Sequence, residues 1–278
     1  EELPADFVWI ANNGITGTAI TEEIMYWMAK SGCKGFKVGV ESGNAAMMKK
    51  IRKPATKDGL RKASVIFRKY TEVHVSGNYI IGFPEETFGE MMDTFNFANE
   101  LSWDWASFFM CQPARGTPIF DAFEALGDDR CQEDHFGSQI PARLSRQHGN
   151  FGYKKSYQSD DDVSRSILSG RDIFDLPGSH IPSAEQLKEI WFTFNLVTNF
   201  FNNRNFKLGG NVEKIVRWLE AILGSYPRDA SMCALLAHGY RLLGDRERSE
   251  VYRDKFYQIH EEHDYWKRRV TEFPELLE

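Results

Sequence analysis

A carboxylate and a hydroxyl stand together in the segment Gly39-Val40-Glu41-Ser42-Gly43, at the end of a predicted strand. The flanking glycines let a ligand approach the backbone closely. Glu41 and Ser42 could therefore bind an amine or the hydroxyl groups of a ribose. They could equally cap the helix that is predicted to begin near Asn44, because a side-chain oxygen there accepts a hydrogen bond from the first helical turn. The pentapeptide alone leaves both interpretations open.

Two further segments combine glycine, proline and polar residues after predicted strands. The segment 76–87 contains Asn78 and Gly82, and Gly82 allows close backbone approach. Its last four residues are typical of a turn followed by a helix cap. A rigid loop begins at Gln112 and Pro113. Taken alone, each of these two segments predicts no more than a turn.

Strand and helix patterns alternate through the first part of the chain. Apolar runs and alternations predict four strands, at 6–11, 34–40, 72–81 and 105–111, with helical stretches between them. This alternation predicts βαβ units and an α/β fold with a parallel sheet. In such folds the ligand binds where the strands end. The three polar segments are therefore predicted to share that edge of the sheet.

The ordered set of segments, from Val8 to about Phe123, resembles a known family. It contains Asn-Gly-Ile, Gly-Val-Glu-Ser-Gly, Ile-Ile-Gly-Phe-Pro-Glu-Glu-Thr and Pro-x-x-Gly-Thr-Pro in that order. This set resembles the later part of a radical S-adenosylmethionine (SAM) enzyme, of the subgroup that often carries an N-terminal cobalamin-binding domain. The resemblance implies an incomplete (βα) barrel, formed by the last four strands of a six-stranded, TIM-like half barrel.

The resemblance also implies roles for individual residues. Glu41 and Ser42 would face the methionine and ribose parts of SAM, and the backbone of Gly82 would pass close to the adenine. Arg52 or Lys53 would reach the cofactor carboxylate. The full set of cofactor-binding residues that the resemblance implies is Asn12, Gly14, Glu41, Ser42, Arg52, Asn78, Gly82, Gln112 and Pro113.

The iron–sulfur motif of this family does not occur in the sequence. The family holds a [4Fe–4S] cluster with Cys-x-x-x-Cys-x-x-Cys, whereas Cys33, Cys111, Cys131 and Cys233 are widely scattered. The chain begins at Glu1 without an initiator methionine, so we expect the cluster ligands to precede it. The resemblance then implies an enzyme that generates a 5′-deoxyadenosyl radical, and a chain that is inactive alone. A cobalamin domain upstream would imply methyl transfer.

Four strands taken from a six-stranded barrel should leave backbone groups unpaired. An exposed parallel edge is an aggregation hazard, and parallel sheets are normally covered on both faces. We therefore expect an open edge and an open inner face in this chain.

Composition limits the classes of partner. The 278 residues include 34 Lys and Arg and 40 Asp and Glu, a net charge of −6, which disfavours nucleic acid. The expected substrate is a small molecule or one whose class the sequence does not indicate. No apolar run approaches the ~20 residues of a membrane span. The absence of paired cysteine motifs favours a reducing, cytoplasmic setting.

The chain divides into three predicted regions: a partial barrel at 1–126, an irregular connection at 127–182 and a helical region at 183–278. In the third region, small residues such as Ala234, Ala237 and Gly239 resemble a tetratricopeptide (TPR) unit. The alternative to an enzyme is accordingly a non-enzymatic interaction module, whose helical tail binds a protein partner on a degenerate barrel scaffold.

Overall fold

The computed structural model describes residues 7–127, 170–224 and 226–277. Its sheet has four strands, β1 (Trp9–Ile15), β2 (Cys33–Glu41), β3 (His74–Ile81) and β4 (Trp105–Met110). All three neighbouring pairs are parallel and the spatial order is β1-β2-β3-β4. The α/β fold and the four parallel strands are therefore confirmed, while closure into a half barrel stays a prediction. Most of the predicted connection, residues 128–169, lies outside the described residues.

Polar side chains start most helices. The helices are α1 (Glu22–Lys30), α2 (Ala45–Lys50), α3 (Lys57–Phe67), α4 (Phe88–Leu101), α5 (Pro118–Ala125), α6 (Ala184–Leu196), α7 (Val212–Leu223), α8 (Ala230–Leu242), α9 (Arg246–Glu262) and α10 (Asp264–Glu272). Thr21 and Thr56 cap α1 and α3, and Thr87 caps α4 in a capping box with Glu90. In the part of the chain that the structure describes, no helix has the length and apolarity needed to cross a membrane.

The sheet has an apolar face and a polar face, because successive side chains of a strand point to opposite sides. Phe36, Val38, Val75, Tyr79 and Phe108 lie on the first face and are buried in the main core with residues of α1, α3 and α4. The opposite face, which we call the inner face, carries the intervening residues, several of which are polar. This division leaves polar groups where the resemblance implies a barrel interior.

The first strand extends further than its sequence indicated. The first strand is predicted at residues 6–11, but β1 runs from Trp9 to Ile15. The pairing of β1 with β2 shifts register between Ala11 and Ile15, so Asn12, Asn13 and Gly14 form an irregular stretch inside the strand. Gly14 has a left-handed backbone there, with φ +86°.

Two asparagine side chains, one at the end of α6 and one in the turn that follows it, form hydrogen bonds with the outer edge of β4. Asn195 accepts a hydrogen bond from the N–H of Phe108 at 3.1 Å and donates to its C=O at 3.2 Å. Asn199 makes the same two bonds to Ala106, at 2.8 and 2.6 Å. Each amide thereby takes the place of a neighbouring strand. The chain thus supplies its own substitute for a neighbouring strand at β4, while the open edge expected on the side of the missing strands stays a prediction.

We call Asn195 and Asn199, with their hydrogen bonds to β4, the asparagine ladder. The spacing of residues along a helix and along a strand makes this ladder possible. Asparagines four residues apart are separated by about 6.0 Å along a helix, and strand residues two apart by about 6.6 Å. An α-helix turns about 40° beyond a full circle in four residues, which would carry successive asparagines away from the edge. A π-helical turn, Val197–Phe201, lies between Asn195 and Asn203. Its wider turn offsets that rotation.

A buried carboxylate, Asp104, ties the sheet to the helical tail. Its Oδ2 accepts a hydrogen bond from the N–H of Val75 at 2.8 Å. Its Oδ1 accepts from Lys214 Nζ at 2.8 Å, from Asn205 at 3.0 Å and from Arg204 at 3.3 Å. Burial opposes ionisation of this side chain, but Lys214 and the hydrogen bonds outweigh burial and hold its pKa below the ordinary value.

The tail packs on the sheet and on itself. Trp218 of α7 stacks on His74 of β3, with ring centroids 4.3 Å apart, and so covers the inner face at the amino end of the sheet. Arg269 of α10 makes a buried bidentate pair with Glu189 of α6, at 2.6 and 2.8 Å. Helices α7, α8 and α9 pack in sequence. The TPR resemblance of this region stays a prediction.

The ladder generates a stability prediction. Asn199→Leu keeps the approximate volume of the side chain but leaves the N–H and C=O of Ala106 buried without partners. We expect the free energy of unfolding to fall by about 2–4 kcal/mol, because each unsatisfied buried group costs about 1–3 kcal/mol. Urea denaturation measures this change.

Asn202→Leu is the matched control, since Asn202 lies next to the same π turn but is exposed and bonds only to Asn99 among the contacts described. We expect it to cost less than about 1 kcal/mol. Equal losses in the two variants would contradict the role of the ladder.

Candidate cofactor site at the carboxyl ends of the strands

Polar residues align across three strands of the inner face. Gly39 pairs with Asn78, and Asn78 pairs with Ser107. In the next row toward the amino end, Lys37 pairs with Ser76. Because these are backbone partners on the same side of neighbouring strands, their side chains form two adjacent rows.

Glu41 is turned back over the first of these rows. It has a left-handed backbone, with φ 70°, and the register of β2 against β3 shifts between Gly39 and Glu41. A Cβ added to Gly39 would lie 2.6 Å from Oε1 of Glu41 and 3.1 Å from Nζ of Lys53. The Glu41–Lys53 pair therefore lies directly over the backbone of Gly39, and a side chain at position 39 would displace it. Strained backbone of this kind is often found at functional sites.

Lys53 is the cation that meets Glu41. Its Nζ lies 2.9 Å from Oε1 of Glu41, and each side chain is about a quarter exposed, at 24% and 25%. The sequence offered Arg52 or Lys53 as alternatives. Arg52 is exposed and adopts φ 56°, whereas Lys53 turns toward the sheet. The ion pair is reachable from solvent, so a ligand can bind to either charge.

Ser42 faces the other side of the sheet. It is fully buried, its hydroxyl lies 3.1 Å from that of Thr94, and it accepts a hydrogen bond from the N–H of Asn44. Asn44 caps α2 by accepting from Met47 N–H. The interpretation of Glu41 as the helix cap is therefore wrong. Ser42 fastens the loop to α4 in this structure, and its predicted cofactor contact stays a prediction.

Inner-face polar atoms that lack partners among the described residues are Oδ1 of Asn78, Oγ of Ser76 and both ring nitrogens of His74, all buried. Buried polar atoms are usually hydrogen-bonded, so the oxygen of Asn78 indicates a missing donor and the hydroxyl of Ser76 a missing donor or acceptor. Asn78 is the backbone neighbour of Gly39, which places its unpaired oxygen in the same row as the Glu41–Lys53 pair. These residues fit a ligand that carries hydroxyl or amine donors.

The turn after β3 is held together by a buried carboxyl group. Glu86 is 1% exposed, and its Oε2 accepts from the N–H groups of Gly82 at 2.6 Å and Phe83 at 3.0 Å. Burial raises the pKa of Glu86 to about 7, against the lowering effect of the two hydrogen bonds. Gly82 has φ +76°, and Leu187 of α6 occupies the space where a side chain would lie. Sequence reasoning missed Glu86, although its distance from Gly82 suits such a turn.

The other predicted residues flank this region. Asn12 is exposed on β1 and lines a small cavity with Lys37 and Ser76, which puts it on the inner face. Gly14 is exposed two residues further along. Gln112 is half-buried and Pro113 buried, immediately after β4. All of them lie near the carboxyl ends of strands except Asn12, which lies in the middle of β1.

The described residues offer no metal site. No group of three or more His, Cys, Asp or Glu side chains there could hold an ion. Cys33, Cys111 and Cys233 are buried and form no disulfide among the described residues, and Cys131 lies outside them. Burial raises the pKa of Cys33, and raises that of Cys233 to about 12. These two thiols are thus protonated at neutral pH, whereas metals bind thiolates. This part of the chain does not fit an iron–sulfur cluster.

Glu86 should make folding depend on pH. Its pKa is raised in the folded state, so its contribution is complete below an ordinary pKa of 4.5 and is lost as pH rises through about 7. Glu86→Gln keeps an acceptor for Gly82 and Phe83 but cannot ionise. Between pH 4.5 and 8 we expect the wild type to lose up to about 3 kcal/mol of unfolding free energy relative to this variant.

Urea denaturation across this pH range measures the difference. Glu85→Gln is the matched control, because Glu85 is the exposed neighbour in the same turn. It should keep the wild-type dependence on pH. Parallel stability curves for the wild type and Glu86→Gln would refute the buried-acid assignment.

Comparisons with known proteins give partial similarities. No protein-family model matches the chain. It is 30% identical over 116 residues to an uncharacterized methyltransferase of Pyrococcus horikoshii, which covers 42% of this chain and 25% of that protein. It is 26% identical over 113 residues to a tRNA-2-methylthio-N(6)-dimethylallyladenosine synthase of Clostridium tetani, covering 40% and 25%.

A third similarity is to the cytidylyl-2-hydroxyethylphosphonate methyltransferase of Streptomyces wedmorensis, 29% identical over 119 residues, covering 40% of this chain and 22% of that protein. The chain thus spans about a quarter of the length of these relatives. Over about two fifths of its own length, it is distantly similar to enzymes named for methyl transfer or for methylthio modification of tRNA.

Proposed function

We propose that this chain forms the SAM-binding part of a radical SAM enzyme. The observation that carries the proposal is the Glu41–Lys53 pair, which lies over Gly39 where β2 ends and beside the unpaired oxygen of Asn78. The order of the motifs and the distant similarity to methyltransferases support it. The proposal concerns a reaction that needs further residues besides those described.

In this proposal each inner-face group has a task at the cofactor. The carboxylate of Glu41 accepts hydrogen bonds from the ribose hydroxyls or the amine of SAM, and Lys53 fixes the direction of that carboxylate. Oδ1 of Asn78 accepts a further hydrogen bond. The turn at Gly82, held by Glu86 and backed by Leu187, presents backbone to the adenine. Because these groups are set by the fold, binding needs little rearrangement.

A reduced [4Fe–4S] cluster held by residues outside those described would supply the electron for the reductive chemistry of SAM. The described residues hold no ligand set for that cluster, so we assign its ligands to residues outside them. The task of this chain is to hold and orient SAM and to exclude water. Without the cluster ligands, we expect it to be inactive.

The reaction class that we propose is methyl transfer or related C–H chemistry. Two of the relatives are named as methyltransferases. Cobalamin would be the methyl carrier of such a reaction, and we assign no described residue to it. The net charge of −6 favours a small-molecule substrate over nucleic acid.

The Glu41 side chain provides the test. In the full-length protein, Glu41→Gln should weaken SAM binding by about ten- to a hundred-fold, because a charge-assisted hydrogen bond contributes roughly 1.5–3 kcal/mol. Calorimetric titration with SAM measures the affinity. Thermal melting, recorded in parallel, reports whether the fold is retained.

Two controls separate binding from stability. Lys53→Met breaks the same ion pair but keeps the carboxylate, so it should weaken SAM binding less than Glu41→Gln does. Glu85→Gln removes a charge from the same edge of the sheet and should leave affinity unchanged. Unchanged affinity of Glu41→Gln, with a lowered melting temperature, would make Glu41 a structural residue and reject the proposed site.

A further inference from the structure

A second cavity lies on the inner face, between the sheet and the helical tail. Its volume is about 260 Å³. Trp105 and Phe109 of β4 form one wall, and Phe200 and Trp218 from the tail line it as well. This volume is close to the lower end, about 300 Å³, of small-molecule pockets. It suits one or two fused aromatic rings, which pack well against other rings.

One cation enters this aromatic cavity. Lys37 lines it from β2 and is half-buried. Among the described residues no carboxylate lies within ion-pair distance of Lys37. Burial lowers its pKa, with no acidic side chain acting against that effect. A partly buried charge without a counter-ion is unfavourable, so the site is better satisfied when it holds an anion.

A second hydrogen-bond donor lines the same cavity. The indole Nε1 of Trp218 is buried and has no acceptor among the described residues. An indole nitrogen can only donate, so it too requires an acceptor. Asp229 is the carboxylate that lines the cavity, but its Oδ1 already accepts from Ser231 and from Met232 N–H. It contributes nothing to the lowered pKa of Lys37.

We infer that this cavity binds an aromatic carboxylate, with the ring between Trp105, Phe109 and Trp218 and the carboxylate at Lys37. The Lys37 contact lies one row nearer the amino ends of the strands than the Glu41–Lys53 pair, and Ser107 of the cavity lining lies in the same row as Gly39 and Asn78. The inference goes beyond the proposed function and does not depend on SAM. It can be tested with the chain alone.

The test is calorimetric titration of the 278-residue chain at pH 7, without SAM. The probes are benzoate, 1-naphthoate and indole-3-acetate, with 3-methylindole as the neutral probe and tryptamine as the cationic one. We expect at least one carboxylate to bind. Indole-3-acetate should bind about tenfold more tightly than tryptamine, as expected for one charge-assisted contact.

Variants of Lys37 identify the contact. Lys37→Met should weaken binding of indole-3-acetate about tenfold while leaving 3-methylindole unchanged, and Lys37→Arg should restore it to within about threefold. Trp218→Phe keeps a ring but removes the N–H, and should weaken carboxylate binding by a few fold. Lys62→Met removes an exposed lysine of α3 and should change nothing.

Three results would overturn the inference. They are the absence of binding by all three carboxylates at millimolar concentration, equal affinity for tryptamine, and full retention of indole-3-acetate affinity in Lys37→Met. Circular dichroism melting of each variant establishes that it is folded. If Lys37→Met fails to fold, the comparison of indole-3-acetate with tryptamine on the wild type keeps the test decisive.

Discussion

The arrangement of this protein depends on satisfying the free edge of β4. A parallel strand at the margin of a sheet exposes N–H and C=O groups that would otherwise pair with another chain. Here Asn195 and Asn199 bond to both backbone groups of Phe108 and Ala106, so a helix substitutes for a strand. These hydrogen bonds fix the direction of α6, which runs antiparallel to β4. They thereby bring the start of α6, with Leu187, to the carboxyl end of the sheet, and its continuation to Asp104 at the amino end.

That direction determines how the inner face is divided. The chain passes the last asparagine of the ladder at the amino end of the sheet, so α7 lies at that end. There Lys214 pairs with Asp104, and Trp218 stacks on His74. The tail therefore covers the amino half of the face and leaves the carboxyl half to Glu41 and Lys53. Aromatic rings line the covered half, whereas an ion pair marks the other. Two chemically different environments result from one chain path.

Local signals in the sequence predicted what depends on short-range interactions. The helix cap at Thr87 follows from a hydroxyl before an amphipathic run, and four parallel strands follow from the alternation. Long-range partners could not be predicted. Nothing adjacent to Asn199 indicates that its amide will meet Ala106, 93 residues away, or that a π turn will align it. Similarly, Ser42 and Glu41 are neighbours in sequence, but the left-handed backbone of Glu41 and the register shift after Gly39 turn Glu41 back over the inner face, while Ser42 lies on the other side.

The charges of the inner face follow from the same division. Burying a charged lysine within a strand costs free energy, yet β2 contains Lys37 between the core residues Phe36 and Val38. Strand alternation explains its direction, but not why a cation is kept where rings surround it. Lys53 differs, since its charge is matched by Glu41 at 2.9 Å within the protein. One lysine thus has an internal counter-ion and serves to orient it, while the other lacks one among the described residues. An unmatched cation of that kind is better explained by a ligand than by folding, because an apolar residue at position 37 would serve the fold at lower cost.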